Sequence, residues 1–208
     1  MVTDRHLQGL YAITREHYDS DQQLTTEVSA ALRGGVRILQ YRDKSGDRPQ
    51  RIRQASMLAT LCADHNTALI INDDIALARS IGAQGVHLGR DDATIISARE
   101  QLGIDAIVGI SCYNQPALAA EAAAAGASYV AFGSFNPSPT KPGAVRASLE
   151  LLREWDHPNT PACAIGGITL DNAVDLVTAG AAMVAVISDL WSADDIEAHA
   201  RAYARLWL

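Results

Sequence analysis

Three polar side chains that could do chemistry stand at alternate positions, Gln40, Arg42 and Lys44. They follow a short apolar run, and residues that alternate along an extended strand end project to the same side. An amide, a guanidinium and an ammonium in one place bring many hydrogen-bond donors and positive charge, which suits a polyphosphate. The alternative is a basic strand end that only contacts solvent.

Two pairs of aspartates, Asp73 with Asp74 and Asp91 with Asp92, follow the next two apolar runs. If these runs are neighbouring strands, the carboxylates face the basic cluster. Mg²⁺ is commonly held by one or two carboxylates, phosphate oxygens and water, so the pattern predicts a Mg²⁺ site at Asp73 and Asp92. Aspartates also cap the helices that follow them. Capping is the preferred interpretation for Asp74 and Asp91, and it stays an alternative for the other two.

A segment that contains several prolines and glycines, residues 133–143, follows a later apolar run. It is longer than the roughly 2–6 residues of an ordinary strand-to-helix loop. A long loop beside a catalytic face is typical of a lid, and closure would bring Lys141 over a bound substrate. A lysine exposed on a surface loop is the alternative.

Two glycines, Gly166 and Gly167, stand between an apolar run and a helical segment, and Ser188 ends the last apolar run. Glycine lets backbone N–H groups approach an anion closely, and the dipole of the following helix favours negative charge. This pattern predicts a monophosphate site. A fold with both phosphate sites could join a diphosphate ester to a phosphorylated acceptor, whereas a one-substrate isomerase needs only the monophosphate site.

The strands and helices that must position these groups appear in the sequence as a repeated pattern. A glycine followed by an apolar run of strand length occurs at 34–40, 82–88, 126–132 and 180–186, at spacings of about 48, 44 and 54 residues. Each interval has room for a second strand, because one strand and one helix need only about half of it. The further apolar runs lie at 10–14, 68–71, 107–111 and 163–165.

Helical segments separate these runs, at 24–33, 51–65, 75–81, 95–102, 115–125, 149–155, 170–179 and 194–207. Alternation of eight strands with eight helices predicts a single (βα)8 TIM-barrel domain over residues 1–208, with its chemistry at the carboxyl ends of the strands. A doubly wound sheet is the alternative, and it would usually stop at five or six strands.

Composition favours a globular enzyme scaffold, since 48% of the residues are apolar and 20% are charged. The net charge of −7 argues against nucleic acid and anionic membranes as partners. No apolar run reaches membrane-spanning length, and residues 1–10 are too polar for a secretory signal, so we expect a cytoplasmic location. The three cysteines and six histidines lack metal-ligand spacing, and we expect the cysteines to be reduced packing residues. Trp191 and Trp207 could form a homo-oligomer interface or pack against the barrel.

Several motifs in one order carry a family resemblance: Q-x-R-x-K at 40–44, I-N-D at 71–73, H-L-G-x-x-D at 87–92, P-x-x-T-K at 137–141 and G-G-I-T at 166–169. This set resembles the thiamine phosphate synthase family. The resemblance implies a transferase that couples 4-amino-2-methyl-5-hydroxymethylpyrimidine diphosphate with thiazole phosphate, or its carboxylate, to give thiamine phosphate and pyrophosphate. In such enzymes the diphosphate leaves first, and the thiazole nitrogen captures the pyrimidine methylene cation.

The resemblance also implies a role for each matching residue. Catalytic roles fall to Arg42, Lys44, Ser111 and Lys141, and Mg²⁺ to Asp73 and Asp92. The diphosphate is bound by Gln40, Arg42 and Lys44, the pyrimidine end lies at Asn72, and Ser111 lies near the diphosphate or the reacting carbon. The thiazole phosphate and the leaving group contact residues in two regions: Ser138, Thr140 and Lys141 in the loop, and Gly167, Ile187 and Ser188 at the last two strands.

The sequence departs from the family pattern at Arg90, Ser134, Ser138 and Tyr113-Asn114. The last departure lies in the loop after the fifth strand, and none of the departures removes an inferred diphosphate or metal contact. A thiazole tautomerase-like isomerase on the same fold is one alternative function, for which a histidine near the fifth strand is the expected acid or base. A barrel that binds a thiamine precursor without catalysis is another, but it should have lost the charged residues that this chain keeps.

Overall fold

The apolar runs form eight parallel strands in the computed structural model, which describes residues 7–89, 93–137 and 145–208. Each strand pairs with the next along the chain, and the last pairs with the first, so the sheet closes into a barrel. The predicted (βα)8 barrel is confirmed. The strands are β1 Gly9–Ile13, β2 Ile38–Tyr41, β3 Ala68–Asn72, β4 Gly85–Leu88, β5 Ile107–Tyr113, β6 Tyr129–Gly133, β7 Ala162–Ile165 and β8 Met183–Val186.

Helices alternate with these strands and cover the outside of the barrel. They are α1 Asp21–Arg33, α2 Arg48–Asp64, α3 Ile75–Ile81, α4 Ile95–Leu102, α5 Pro116–Ala124, α6 Leu149–Arg153, α7 Leu170–Thr178, α8 Ser188–Trp191 and α9 Ile196–Ala204. The predicted last helix corresponds to α9 and the 3₁₀ turn Arg205–Trp207. The sequence analysis missed α8, because four residues are too short to show a helical period.

Side-chain caps set the start of several helices, and they separate the two interpretations of the aspartates. Asp74 accepts a hydrogen bond from the Leu77 backbone N–H at 2.8 Å and caps α3, as predicted. Thr94 accepts one from the Ser97 N–H at 3.2 Å and caps α4. Asp91, for which capping was expected, lies outside the described residues, and the described N-cap of α4 is Thr94. Asp74, and not Asp73, caps α3, so the capping alternative for Asp73 is wrong, whereas Asp92 lies outside the described residues.

Alternation along the strands produces two apolar layers, one between strands and helices and one inside the barrel. The inner layer fills the barrel, so it is a packed core and not a pore. Large buried members of this layer are Tyr11, Ile38, Ile70, Ile107, Tyr129, Cys163 and Met183.

The cysteines and one tryptophan behave as packing residues. Cys62, Cys112 and Cys163 are free and buried, as predicted. Burial raises the pKa of the Cys62 and Cys112 thiols to about 12, so both stay protonated near neutral pH. Trp191 is 4% exposed and its indole N–H donates to the Ile13 carbonyl at 2.6 Å, so it packs against the barrel.

Within the described ranges, no helix is both long and apolar enough to cross a membrane. The cytoplasmic location stays a prediction.

Candidate active site

A cavity of about 890 Å³ opens at the carboxyl ends of the strands. This is the end at which (βα)8 barrels carry their chemistry. Its lining brings together predicted residues that are far apart in the sequence: Gln40, Arg42, Asn72, Ser111, Gly167, Ile187 and Ser188. Four further predicted residues, Asp92, Ser138, Thr140 and Lys141, lie outside the described residues.

Arg42 lies just beyond β2 and is held by residues that follow the neighbouring strand β1. Its backbone N–H donates to the Thr14 hydroxyl at 2.9 Å, and its guanidinium donates to the Glu16 carboxylate. The arginine side chain is 12% exposed, whereas the glutamate side chain is 57% exposed. A phosphate that binds this guanidinium has to compete with Glu16. Lys44 lies in the exposed turn after β2, outside the lining of the cavity, and its diphosphate role stays a prediction.

Asn72 and Asp73 mark the end of β3. The Asn72 amide lines the cavity and donates to an Asp73 carboxylate oxygen at 2.5 Å. Asp73 is exposed, and its backbone N–H donates to the His87 carbonyl at 2.9 Å. Its φ of 63° is left-handed, a conformation that aspartate tolerates better than most residues. The predicted metal carboxylate therefore lies at the strand end, next to a residue of the cavity.

The loop after β6 is tied down at its base. The Ser134 N–H donates to the Val145 carbonyl at 3.0 Å, and the Ala147 N–H donates back to the Ser134 carbonyl at 2.9 Å. The first residues of the loop also pair with the end of β7, because the Asn136 N–H donates to the Gly166 carbonyl at 2.9 Å. The base of the loop is therefore fixed to β7, and Ser134 and Pro137 form part of the cavity wall.

Gly166 and Gly167 are required for backbone reasons that the sequence analysis did not include. Their φ values are 102° and 60°, in the region that favours glycine. A Cβ at Gly166 would be 2.2 Å from the Ser134 hydroxyl, and one at Gly167 would be 2.2 Å from the Pro137 carbonyl oxygen. The glycines thus let the loop after β6 lie directly on the turn after β7. Both also line the cavity, where an anion would approach.

Asn172, on the first turn of α7, holds the same turn together, and the sequence analysis missed it. Its side-chain oxygen accepts from the Thr169 N–H at 3.1 Å, and its amide donates to the Gly167 carbonyl at 3.0 Å. The spacing from Thr169 to Asn172 matches a capping box with asparagine in place of the usual Glu or Gln. That spacing was the available signal.

A chain of hydrogen bonds runs through the floor of the cavity and joins five strands. The Gln40 amide donates to Tyr11 Oη at 2.7 Å, and Tyr11 Oη lies 2.8 Å from Tyr129 Oη. Tyr129 Oη lies 2.9 Å from His87 Nδ1, and His87 Nε2 lies 2.9 Å from Ser111 Oγ. All five residues line the cavity, so this chain connects a predicted diphosphate ligand to the predicted catalytic serine.

Burial keeps the two tyrosines of this hydrogen-bond chain protonated. Desolvation raises the pKa of both Tyr11 and Tyr129 far above the usual value for a phenol. The His87 and Tyr129 rings stack with their centroids 5.7 Å apart. Tyr11, His87 and Tyr129 are functional candidates that sequence reasoning did not assign. The available signal was a polar residue at an inward-facing position of an otherwise apolar strand.

An irregularity in β5 exposes two side chains to the cavity. The pairing with β6 shifts between Ser111 and Tyr113, and Tyr113 has a φ of 54°. Both residues line the cavity, and Tyr113 is 40% exposed. The departure from the family pattern at Tyr113 therefore lies on the cavity wall.

Comparison with known proteins places the chain in a family. A family model described as thiamine monophosphate synthase matches residues 10–190. The chain belongs to this family. A thiamine-phosphate synthase of Thioalkalivibrio sulfidiphilus is 50% identical over 206 residues, which cover 99% of this chain and 98% of that protein. One of Thiobacillus denitrificans is 54% identical over 200 residues, which cover 96% and 94%.

A solved structure agrees with these relatives. The thiamine phosphate pyrophosphorylase from Pyrococcus furiosus superposes with a TM-score of 0.85 at 29% identity and covers 98% of this chain and 97% of that one. The family resemblance predicted from the motifs is confirmed. The protein is accordingly an enzyme of thiamine biosynthesis and a transferase.

Proposed function

We propose that the enzyme couples the pyrimidine diphosphate named above with thiazole phosphate to give thiamine phosphate and pyrophosphate; with the carboxylated form of the thiazole, carbon dioxide would be released as well. The observation that carries this proposal is the shared cavity, whose lining contains both Arg42 and the Gly166–Gly167 turn. Its volume of about 890 Å³ is near the upper end of ordinary ligand pockets, which suits two small substrates side by side.

The reaction breaks the bond between the pyrimidine methylene carbon and the diphosphate oxygen, whose electron pair leaves with pyrophosphate. The thiazole nitrogen then supplies the electron pair of the new carbon–nitrogen bond. The protein has to hold the two rings in line and stabilise the departing negative charge. Arg42 and Ser111 line the cavity and fit that task. Lys44 and Lys141 would add positive charge from the rim and the loop.

Asp73, together with Asp92, would hold Mg²⁺. Two observations on Asp73 fit this role: its carboxylate is exposed at the end of β3, and its neighbour Asp74 supplies the helix cap. Among the described residues, no group of three or more His, Cys, Asp or Glu side chains could hold a metal. One or two carboxylates completed by substrate phosphates and water are the usual Mg²⁺ environment. When bound, the ion supplies positive charge to the diphosphate.

The thiazole phosphate would lie against the turn after β7 and the backbone at Ile187 and Ser188. The start of α7 supplies N–H groups and a favourable dipole for an anion. The nearby Asp189 carboxylate also lines the cavity, but it accepts hydrogen bonds from His199 at 2.6 Å and Tyr203 at 2.7 Å. Both bonds are made by the same oxygen, Oδ2, which these two partners occupy.

The tautomerase alternative needs an acid or base near β5, and His87 is the histidine that contacts Ser111 there. Both of its ring nitrogens bond to protein groups, and it is 8% exposed. This arrangement suits a residue that orients its neighbours better than one that exchanges protons with a substrate.

The test is a coupling assay with purified protein, both substrates and Mg²⁺, with detection of thiamine phosphate. We expect product only when both substrates are present, and at least tenfold less after chelation of Mg²⁺. Isomerisation of the thiazole phosphate in the absence of the pyrimidine substrate, without coupling, would support the tautomerase. Binding of either substrate without any turnover would support the non-catalytic barrel.

A further inference from the structure

The hydrogen-bond chain from Gln40 to Ser111 has a direction that follows from its first donor. The amide nitrogen of Gln40 can only donate, so Tyr11 Oη accepts this bond. The phenol hydrogen of Tyr11 must then go to another acceptor. Tyr11 is 1% exposed, and the other recorded partner of its hydroxyl among the described residues is Tyr129 Oη, at 2.8 Å.

The same reasoning assigns the donor and the acceptor in each of the remaining hydrogen bonds. Tyr129 Oη accepts from Tyr11, and its own hydrogen points to His87 Nδ1 at 2.9 Å. A neutral imidazole that accepts at Nδ1 carries its hydrogen on Nε2. His87 Nε2–H therefore donates to Ser111 Oγ at 2.9 Å. The serine oxygen is then an acceptor inside the wall, and its own hydrogen is left to donate into the cavity.

We propose that Gln40 is a positioning residue that sets the direction of this chain, holds His87 as the Nε2–H tautomer and makes the Ser111 hydroxyl a donor to the anion in the cavity. Tyr11, Tyr129 and His87 pass on this direction. The role of the serine as donor to the departing diphosphate rests on the proposed function. The direction of the hydrogen bonds in the ligand-free protein does not depend on the proposed function.

The opposite direction has a chemical cost at the cavity. If the Gln40 side-chain oxygen accepted from Tyr11, each bond would reverse, and His87 Nε2 would accept the Ser111 hydrogen. The serine would then present lone pairs to a departing anion. A preorganised donor stabilises developing negative charge, whereas an acceptor repels it. Only when Gln40 donates to Tyr11 can the Ser111 hydroxyl donate to the departing diphosphate.

The experiment reads the tautomer of His87 directly. Protein labelled with ¹⁵N-histidine is measured without ligands at pH 8, and the His87 ring signals are assigned by their loss in His87→Asn. The ring ¹⁵N shifts and their couplings to the ring protons distinguish the two tautomers. We expect the Nε2–H tautomer in the wild type. A wild-type Nδ1–H signal would overturn the proposal, whatever the coupling assay shows.

Gln40→Glu tests whether residue 40 sets the direction. An ionised carboxylate can only accept hydrogen bonds, so every bond in the chain should reverse and His87 should become the Nδ1–H tautomer. A ¹³C label on the new carboxyl group checks that it is ionised. Adding Tyr11→Phe cuts the chain beside residue 40, and the Nε2–H tautomer should return. An ionised Gln40→Glu variant that keeps the Nε2–H signal would reject control by Gln40. Turnover in this variant should fall by about 10- to 100-fold, the loss of one donor to a charged group.

Ser111→Ala is the matched control. It removes the donor to the substrate but leaves the bond between Tyr129 and His87 Nδ1, so turnover should fall while the tautomer stays Nε2–H. If the hydrogen-bond chain had only a structural role, these variants would change thermal stability. The tautomer of His87 would then not switch in Gln40→Glu and return in the double variant.

Discussion

Gly109 leaves the space that the ring of Tyr129 occupies. A Cβ at position 109 would lie 2.0 Å from Tyr129 Cζ and 2.3 Å from its hydroxyl oxygen. On β5, Gly109 is in register with His87 on one side and Tyr129 on the other. Because it has no side chain, the two rings meet across it and their hydrogen bond can form.

Gly109→Ala should therefore push Tyr129 out of place and weaken its bond to His87. We expect a loss of about 1–3 kcal/mol in the free energy of unfolding, typical of overpacking, together with a clear fall in turnover. Urea unfolding and the coupling assay measure both effects. Gly82→Ala, where a Cβ meets nothing within 4 Å, is the control. It should cost only the strain of its left-handed backbone, about 1 kcal/mol, and leave turnover unchanged.

Asp73→Asn should raise the Mg²⁺ concentration needed for half-maximal activity at least tenfold, because an amide is a weaker Mg²⁺ ligand than a carboxylate. The measurement is a Mg²⁺ titration of the coupling rate. Its neighbour provides the control, since Asp74 caps α3 and pairs with Arg51 at 2.8 Å. Asp74→Asn keeps a good capping residue and should leave the Mg²⁺ requirement as it is. If both variants require the same Mg²⁺ concentration, Asp73 is not a metal ligand.

Arg42→Ala and Asn172→Ala should damage different substrates. Loss of the guanidinium should raise the KM for the pyrimidine diphosphate by about 10-fold or more, the usual effect of one charge-assisted bond. Asn172→Ala frees the turn after β7 and should mainly raise the KM for thiazole phosphate, at a stability cost of about 1 kcal/mol. Steady-state kinetics with each substrate varied in turn separate these effects. If both variants weaken both substrates equally, the two-site arrangement is wrong.

Lys141→Met should lower turnover by about 10- to 100-fold with little change in substrate binding if the loop closes as predicted, because the lysine would then meet the charge that develops in the transition state. Arg146→Met removes another exposed positive charge next to the same loop and serves as the control. Substrates with Mg²⁺ should also protect residues 134–143 from limited proteolysis. Normal turnover of Lys141→Met with unchanged cleavage would make Lys141 an ordinary surface charge.

Alkaline pH should destabilise the fold. In the folded protein the pKa of Cys62, Cys112 and Tyr18 is raised to about 12, mainly by burial, whereas the usual values are 9.0 for the thiols and 10.0 for the phenol. Above pH 9 the unfolded chain therefore binds fewer protons than the folded one, and the free energy of unfolding falls with pH. Urea midpoints at pH 7.5, 9 and 10.5 measure this fall. Cys62→Ala with Cys112→Ala should make it shallower, and an unchanged slope would show that other groups cause it.

Local sequence features determined the elements of this protein. Each strand is an apolar run that follows a turn, and a helical segment separates it from the next strand. The order of strands and helices can therefore be predicted from residues that are close together in the sequence. The cap at Asp74 is of the same kind, because its partner is the N–H of Leu77, three residues away. The short helix α8 escaped prediction since four residues carry no periodic signal.

Contacts between distant residues could be decided only by the closed barrel. The motifs predicted Gln40 and Ser111 as site residues, but the link between them runs through Tyr11, His87 and Tyr129. Tyr11 and Tyr129 are 118 positions apart, and their hydroxyls meet at 2.8 Å because the closed barrel brings both rings into its interior. Likewise, the contact of Gly167 with Pro137 appears only when the loop after β6 lies on the turn after β7. A sequence pattern specifies which way a side chain points from its own strand, whereas the partner it meets depends on how all eight strands close around it.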